Sequence, residues 1–326
     1  MMKSKKSDII AALECKQPQK AVPIWELEFH LWNRFANEKV ILGNEFLMLT
    51  AREKERALSK NAEIMLTVAE ELHFSALTIP GGYWEIAPGV PAYYWLPDDA
   101  RVKQAKIFKQ LSSDNIMLMA ITGGVLAIPD ATDYMEFSFK LLQAPEEIDM
   151  LARNCYNTGI EQAKKFRDLG VKGLITASDI AENRGLYFTP DQMERFILPY
   201  LRQWAKEVKK IDAYPILHTD GNINSCLVQL ADSGIRAIQA IDPVAGMDIT
   251  KVKNRIGDRV CLCGNVDCGL FLNGTPEQVY QATTAVLQAC KAGGGLVLGA
   301  SNVIQPQAPG ENYLAMIEAW QQDGQY

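Results

Sequence analysis

The stretch YPILHTDG at residues 214–221 carries the pattern from which the fold of this chain can be predicted. Its first half, YPIL, reads as a short buried strand, and the polar half that starts at His218 follows directly. Stretches with apolar residues at helical spacing lie on both sides, at 190–211 and 223–233. A short strand between amphipathic helices is the repeating unit of α/β proteins.

The same alternation runs through the whole chain. The predicted strands lie at residues 22–25, 76–79, 116–120, 173–176, 214–217, 237–241, 259–263 and 296–298. The predicted helices lie at residues 52–72, 146–169, 190–211, 223–233, 276–291 and 310–322. Strands that alternate with helices or long loops in this number favour an α/β protein with a closed (β/α)8 TIM barrel, while an open doubly wound sheet remains the alternative.

Helix boundaries and domain organisation can also be read from the sequence. Thr189 and Thr275 each precede a proline, which is typical of a helix start with a hydroxyl N-cap, and three glycines at 293–295 indicate a helix end. No Pro- or Ser-rich linker divides the chain. We therefore expect a single domain over residues 1–326, a barrel with an N-terminal helical extension.

Composition excludes several classes of function. The chain has 326 residues with 33 Lys and Arg against 39 Asp and Glu, so its net charge of −6 argues against nucleic-acid binding. The longest mostly apolar stretch, 116–129, is broken by two glycines and is shorter than the ~18–20 residues of a membrane span. Seven cysteines without a recognisable export signal indicate reduced thiols and a cytoplasmic protein.

In a (β/α)8 barrel the active site lies at the carboxyl ends of the strands. His218 and Asp220 follow the fifth predicted strand and project from the same face, so they can hold one metal ion or one proton between them. The chain has only 3 histidines, which favours a functional role for this one. The alternative is a histidine that anchors a loop through backbone contacts.

Three more residues are predicted to join His218 as metal ligands. Cys263 lies at the rim end of the seventh strand, and Glu26 and Glu28 alternate after the first. A thiolate or carboxylate there would suit zinc. However, C-x-C is not the C-x2-C knuckle of structural zinc sites, so Cys263 can equally be core packing. For the two glutamates the alternative is a solvated strand exit.

Acid–base groups and ligand contacts are predicted at other strand ends. Asp179 and Glu182 follow the fourth strand and are candidate general acids or bases, with helix N-capping as the alternative for Asp179. Asn265 and Asp267 follow the seventh strand. They either fix the turn or contact the cofactor or substrate.

An aromatic loop extends the predicted binding site. Tyr83 and Trp84, followed by Tyr93, Tyr94 and Trp95, offer flat apolar surfaces to a planar cofactor or substrate, unless the loop buries its own rings. The chain has no G-x-S-x-G elbow, no Walker loop and no G-x-G-x-x-G after a strand. Serine hydrolases, P-loop enzymes and Rossmann dehydrogenases are therefore disfavoured.

Four segments of the C-terminal half form a recognisable series: HTDG at 218–221, CGNVD at 263–267, GTPEQV at 274–279 and PGENY at 309–313. In these segments the chain resembles the uroporphyrinogen decarboxylase superfamily. They occur in order over roughly residues 170–326, and the N-terminal half matches more loosely. The resemblance implies a (β/α)8 barrel. It leaves the activity open, because the superfamily holds both porphyrinogen decarboxylases and zinc-dependent methyltransferases that work with corrinoid proteins.

Departures from the family patterns favour the methyltransferase branch. The decarboxylases carry an Arg-rich segment after the first strand, where this chain reads WELEFH at 25–30, and their Asp after the second strand is missing here. The coenzyme M-type methyltransferases bind zinc through His-x-Cys and a second Cys. Here Asp220 stands at the Cys position and residues 300–302 read ASN. A harder oxygen-rich site of this kind would suit activation of an ether or alcohol oxygen.

The resemblance therefore implies a corrinoid-dependent methyltransferase. It would move a methyl group between a small methylated compound, such as a methoxylated aromatic, and cobalamin carried by a corrinoid protein, with zinc as the expected metal. A homodimer is a possible assembly of this protein. We expect no nucleic-acid or membrane partner. The alternatives are a cofactor-independent decarboxylase that uses Asp179, Glu182 or Asp220 as proton donor, and a protein that binds a corrinoid or methyl donor without turnover.

Overall fold

A parallel sheet forms the centre of the computed structural model, which describes residues 5–81, 85–87, 90–91, 96–112 and 115–326. The strands of this sheet are β1 (Ala76–Thr78), β4 (Met117–Ile121), β5 (Gly173–Ala177), β8 (Tyr214–Thr219), β9 (Ala237–Ala240), β10 (Cys261–Cys263) and β11 (Leu296–Val297). They lie side by side in this order, and all neighbours pair in parallel. Two short hairpins lie outside it: β2 (Glu85–Ala87) with β3 (Val90–Pro91), and β6 (Ala181–Glu182) with β7 (Gly185–Leu186).

The segment at residues 21–25 closes the sheet into a barrel, and we call it the closing segment. Ile24 forms a parallel bridge to Phe74, just before β1, and another to Leu298, just after β11. The Trp25 N–H donates to the Leu298 carbonyl at 3.0 Å, and the Ser75 N–H donates to the Ile24 carbonyl at 2.8 Å. The closing segment therefore fills the eighth strand position, and the predicted (β/α)8 TIM barrel is confirmed.

Helices surround the barrel. They are α1 (Lys6–Leu13), α2 (Trp32–Phe35), α3 (Gly43–Leu47), α4 (Ala51–Glu71), α5 (Asp98–Leu111), α6 (Tyr134–Gln143), α7 (Pro145–Asp168), α8 (Pro190–Gln192), α9 (Leu198–Lys210), α10 (Leu227–Asp232), α11 (Ile249–Ile256), α12 (Cys268–Asn273), α13 (Pro276–Cys290) and α14 (Gly310–Asp323). A π-helical turn at Met193–Ile197 joins α8 to α9. The predicted N-capping at Thr189 and Thr275 is confirmed, since each hydroxyl accepts from the backbone three residues later.

Two apolar layers stabilise this arrangement. The inner layer fills the barrel with side chains such as Met119, Ile216 and Cys261, all fully buried. Ile9 and Leu13 of α1 belong to the same layer, so α1 covers one end of the barrel from below. The outer layer packs the helices on the strands, with Trp320 of α14 among its largest buried side chains. Helix α1, which precedes the closing segment, forms the predicted N-terminal extension.

The elements that the sequence did not predict are short or lack a clean apolar stripe. Helices α2, α3, α5, α6, α11 and α12 were not predicted, and the helix predicted at 223–233 is limited to α10. In α5 the buried face includes Arg101 and Gln104, which a hydrophobicity pattern assigns to solvent. None of the described helices has the length and apolar character needed to cross a membrane. The seven cysteines are free thiols.

Candidate functional site

Three side chains meet at the carboxyl ends of β5 and β8. His218 is the penultimate residue of β8, Asp220 follows this strand directly, and Asp179 lies two residues beyond β5. One ligand atom from each of these side chains lies within 4.8 Å of the other two. We call these three residues the Asp–His–Asp cluster. The juxtaposition results from parallel pairing, because Ala177 of β5 is in register with His218.

Backbone hydrogen bonds hold Asp179 in the cluster. Its Oδ1 accepts a hydrogen bond of 2.8 Å from the backbone N–H of Asp220 and lies 3.9 Å from His218 Nε2. Its own carbonyl accepts from the Ile128 N–H at 2.8 Å. The carboxylate is therefore locked against the turn after β8 and faces the imidazole.

A second ring of polar groups holds the other two members. Gln239 of β9 contacts His218 Nδ1 through its Oε1. The Nδ2 of Asn302 donates to an Oδ of Asp220, and its Oδ1 accepts from the Val303 N–H at 2.8 Å. Each cluster residue thus has an outer partner that restricts its orientation, as is common around metal sites.

The electrostatics of the cluster are dominated by Asp220. Burial raises the pKa of this carboxyl to about 6, and the negative charges of Asp179 and Asp242 add to the rise, while His218 and Asn302 oppose it. Asp242 is held nearby because its Oδ2 accepts from the Gly221 N–H at 3.2 Å. A bound cation would stabilise the ionised form of Asp220, because its charge offsets the burial and the neighbouring negative charges.

The cluster is buried on one side and open on the other. His218 is only 6% exposed, whereas the Asp179 side chain is 46% exposed. A ligand therefore reaches the cluster from the side of Asp179. Because a buried imidazole and two carboxylates face this opening, the arrangement can hold a divalent cation or relay a proton.

Cys263 lies outside the Asp–His–Asp cluster, so its predicted role as a ligand beside His218 stays a prediction. It is 1% exposed and belongs to the inner apolar layer. Its strand is not adjacent to β8: Cys263 pairs with Gln239, and Gln239 pairs with His218. Neighbouring strands are ~4.8 Å apart, so the backbones of Cys263 and His218 are about 10 Å apart, and the Gln239 side chain contacts the imidazole instead.

Glu26 also lies outside the cluster, and the reason is strand alternation. Trp25 and Leu27 point into the barrel, so Glu26 points outward towards α14. Its Oε1 accepts from the Tyr313 hydroxyl and its Oε2 from the Ala300 N–H, both at 2.9 Å. Complete burial raises its pKa to about 8. Glu26 therefore lies in a buried structural environment, away from the position beside His218 that the sequence predicted for it.

Glu28 and Glu182 are likewise separate from the cluster. Glu28 lies 3.3 Å from His30 Nε2 and lines a small cavity between residues 27–30 and 78–81. Glu182 lies in the β6–β7 hairpin, where it is exposed and accepts a 2.7 Å hydrogen bond from the Tyr134 hydroxyl. Among the residues that the structure describes, the grouping of possible metal ligands contains neither glutamate.

Asn265 and Asp267, which were predicted to fix the turn after β10 or to contact a ligand, both bond to the backbone. Asn265 donates from its amide to the Ile241 carbonyl at 2.7 Å and is buried, and Asp267 accepts from the Gly269 N–H at 2.8 Å as the N-cap of α12. These contacts match the turn-fixing alternative for both residues. Tyr83 and Trp84, with Tyr93, Tyr94 and Trp95, lie outside the described residues.

Gln239 is the functional candidate that sequence reasoning missed. It lies inside the strand AIQAI at 237–241, where all its neighbours are apolar, and the sequence predicts only a buried strand there. A single amide in an otherwise apolar buried strand is the available signal, since buried polar groups need partners. Asn302 enters the sequence analysis only within ASN at 300–302, where the family pattern has a cysteine.

A (β/α)8 barrel with ionisable residues at the carboxyl ends of two neighbouring strands has the architecture of a barrel enzyme site. The uroporphyrinogen decarboxylase (URO-D) family model matches residues 106–322, which include β4 to β11 and most of α14. The chain therefore belongs to the uroporphyrinogen decarboxylase family.

Known relatives match over part of their length. The chain is 34% identical over 140 residues to the uroporphyrinogen decarboxylase of Coxiella burnetii, which is 42% of this chain and 38% of that protein. It is 32% identical over 132 residues to that of Chlorobium luteolum, which is 39% of this chain and 36% of that protein. The matches thus span less than half of either relative.

A solved structure matches along its whole length. The methyltransferase from Methanosarcina mazei superposes with a TM-score of 0.71 at 19% identity, covering 98% of this chain and 99% of that chain. At this identity the likeness establishes the barrel fold and no activity.

Proposed function

We propose that this protein is a metal-dependent methyltransferase of a corrinoid system. It would transfer a methyl group from a small methylated compound to cobalamin carried by a partner protein. The observation that carries the proposal is the Asp–His–Asp cluster, which offers one imidazole nitrogen and two carboxylates at the open end of the barrel.

The donor set fits a divalent cation. A metal–ligand distance of about 2.1 Å places two ligand atoms no more than about 4.2 Å apart, so the 4.8 Å span of the cluster requires only a small inward movement. One nitrogen with two carboxylate oxygens suits zinc or a slightly harder ion better than it suits a soft thiol-bound metal. A bound ion would supply Lewis acidity towards the heteroatom that carries the methyl group, and the corrinoid would supply the nucleophile.

The residues of the chain then have distinct tasks. His218 and Asp220 hold the ion where the departing heteroatom of the substrate gains negative charge. Asp179, half exposed, borders the side from which the substrate arrives. Burial of His218 excludes water from the inner side of the site and so strengthens electrostatic interactions there.

The surroundings argue against a porphyrinogen as substrate. The stretch WELEFH at 25–30 carries no arginine, so it lacks the cationic groups that would pair with a substrate with many carboxylates. The Methanosarcina mazei protein of the same fold is a methyltransferase, which supports testing methyl transfer first. The five aromatic residues between Tyr83 and Trp95 make methoxylated aromatic compounds the first substrates to test.

The test is methyl transfer by the purified protein. The chelator-stripped protein and the zinc-loaded protein are incubated with Co(I) cobalamin and a panel of methyl donors, and methylcobalamin is followed by its absorption spectrum. We expect turnover only with the metal, and a loss of about 100-fold or more in His218→Ala. Asp212→Asn, which alters an exposed carboxylate paired with Lys172, is the matched control and should keep full activity.

Elemental analysis gives an independent result. We expect about one zinc per wild-type chain after zinc loading and dialysis, and none in His218→Ala. Absence of methylcobalamin with every donor, in both loaded and stripped protein, would refute the proposal. Release of CO2 from a porphyrinogen would instead identify a decarboxylase.

A further inference from the structure

We propose that Gln239 is a positioning residue that holds His218 in the tautomer with its proton on Nδ1, so that the Nε2 lone pair faces Asp179 and Asp220. This inference deepens the metal site of the proposed function and rests on it for its consequence. The tautomer itself can be measured without a metal and without a substrate.

The argument begins with the amide of Gln239. Its Nε2 lies 3.3 Å from the carbonyl oxygens of both Ala300 and Ser301. Carbonyl oxygens only accept hydrogen bonds, so the atom that faces them must be the NH2 group. The two possible orientations of the amide are therefore distinguished by the backbone after β11, and Oε1 must point the other way.

The orientation of the amide determines the proton on His218. Oε1 of Gln239 contacts Nδ1 of His218, and an amide oxygen can only accept. Nδ1 must therefore carry a hydrogen. In a neutral imidazole the other ring nitrogen, Nε2, then has a free lone pair.

The free lone pair points to the carboxylates of the cluster. Nε2 of His218 lies 3.9 Å from Oδ1 of Asp179, too far for a direct hydrogen bond and compatible with an ion between them. A neutral imidazole with two carboxylates carries two negative charges, which match a divalent cation. An amide partner also orients the ring without adding a third negative charge, as a carboxylate partner would.

The structure links this device to both ends of the cluster. The stretch 300–302 after β11 supplies the carbonyls that orient Gln239, and its Asn302 donates to Asp220. Gln239 is 2% exposed, so water does not compete for its amide. The imidazole and one carboxylate are thus aligned by the same short piece of backbone.

The tautomer is measured by NMR. Protein labelled with 15N-histidine is kept metal-free with a chelator at about pH 8, above the ordinary imidazole pKa of about 6.5. Two-bond 1H–15N correlations distinguish Nδ1–H from Nε2–H rings. The chain has only 3 histidines, so the missing signals in His218→Asn assign the ring of interest. We expect the Nδ1–H pattern for His218.

Two substitutions at Gln239 separate orientation from packing. Gln239→Leu removes the acceptor, so we expect loss of the pure Nδ1–H pattern and a 10- to 100-fold weaker affinity for Zn2+ by titration calorimetry, the range typical of lost partners of metal-binding histidines. Gln239→Glu keeps an acceptor and should keep the Nδ1–H pattern. Gln104→Leu makes the same change at a buried amide that bonds to Leu58, and it should alter neither reading.

Each outcome decides the inference. A wild-type His218 with Nε2–H, or with both nitrogens protonated at about pH 8, would overturn it. So would an unchanged tautomer and Zn2+ affinity in Gln239→Leu. If Gln239→Leu does not fold, the wild-type and Gln239→Glu spectra still decide. A wild type with the Nδ1–H pattern that binds no Zn2+ would refute the metal site and leave the role of Gln239 established.

Discussion

At the scale of single residues, the cluster places carboxylates where their charge is unfavourable in the absence of a ligand. Asp220 is the clearest case, because burial and the neighbouring charges of Asp179 and Asp242 raise its pKa to about 6. Functional sites commonly accept such a cost in stability. The cost is measurable through the pH dependence of unfolding.

Asp220→Asn should stabilise the metal-free protein at neutral pH. The pKa of Asp220 in the folded state, about 6, exceeds the ordinary value of 3.8, so the folded protein binds the proton more tightly and loses stability as the pH rises from about 4 to about 6. The amide lacks this loss. In chelator-treated protein we expect a free energy of unfolding higher by about 1–3 kcal/mol at about pH 8, and little difference near pH 3.5.

Asp212→Asn provides the opposite sign for this experiment. The hydrogen bond from Lys172 lowers the pKa of Asp212, so this carboxylate favours the folded state above its ordinary pKa, and removing it should slightly destabilise the protein at neutral pH. Urea denaturation at several pH values measures both variants. An Asp220→Asn variant less stable than wild type at about pH 8 would contradict the assigned burial cost.

Glu26 should prove structural. Glu26→Ala leaves the buried Tyr313 hydroxyl and Ala300 N–H without an acceptor, so we expect a loss of about 2–4 kcal/mol in unfolding free energy. Because its pKa of about 8 keeps the acid protonated at neutral pH, Glu26→Gln matches it in charge and shape and should cost less. Thermal denaturation and zinc analysis check this, and loss of zinc from Glu26→Gln would restore Glu26 as a ligand.

The sequence identified part of the site at this scale for a physical reason. His218 and Asp220 could be predicted because polar residues that directly follow an apolar strand fall at the rim of a barrel. Cys263 also ends its strand but lies outside the cluster, because β9 separates its strand from that of His218, and the sequence does not show strand pairing. Gln239 was missed because its partners lie 21 and more than 60 residues away.

At the scale of elements, buried polar contacts join neighbouring strand ends. Arg101 of α5 lies behind the ends of β1 and β4, where its Nη2 donates to the Ile121 carbonyl at 2.8 Å and its guanidinium stacks 5.0 Å from the Phe166 ring. Gly81, after β1, makes this possible. A Cβ at Gly81 would lie 1.7 Å from Arg101 Nε.

Gly81→Ala should therefore destabilise the protein. The new methyl group displaces the buried Arg101 guanidinium from its contacts with Ile121 and Phe166, so we expect a loss of about 1–3 kcal/mol in unfolding free energy. Gly310→Ala is the matched control, because its Cβ would meet nothing nearer than 3.5 Å. Chemical denaturation compares the two variants, and equal stabilities would contradict the tight packing of Arg101 on Gly81.

Elements were predictable where local signals and burial agree. The long helices α4, α7 and α13 have clear apolar stripes, and Thr275 with Pro276 marked the start of α13 correctly. Helix α5 was missed because its buried face carries the polar side chains just described. The closing segment pairs only through isolated bridges at Ala21 and Ile24. It could still be predicted as a strand, because its apolar residues are all buried.

At the scale of the whole molecule, stability and chemistry lie at opposite ends of the barrel. The Asp–His–Asp cluster lies at the carboxyl ends of the strands, whereas α1 covers the amino ends with Ile9 and Leu13. In such barrels the residues at the amino ends of the strands usually contribute to stability, and those at the carboxyl ends form the active site. Substitutions at the covered end should therefore change stability alone.

Leu13→Ala tests this division. Leu13 is 1% exposed within the inner layer, so its truncation should cost about 2–4 kcal/mol, while zinc affinity at the far end stays unchanged. Leu142→Ala, at a position 77% exposed, should leave both unchanged. Thermal unfolding with zinc titration measures both properties, and weaker zinc binding in folded Leu13→Ala would show that the two ends are coupled.

The closing segment has one more consequence for the molecule. The ladder β5–β8–β9 that carries His218 and Gln239 is continuous, whereas the closing segment is joined to either neighbour by an isolated bridge. The closing segment is therefore held by fewer strand-pairing contacts than the ladder. Its amide protons should exchange with heavy water before those of the ladder, so this part of the barrel wall can open transiently without disturbing the residues proposed to bind the ion.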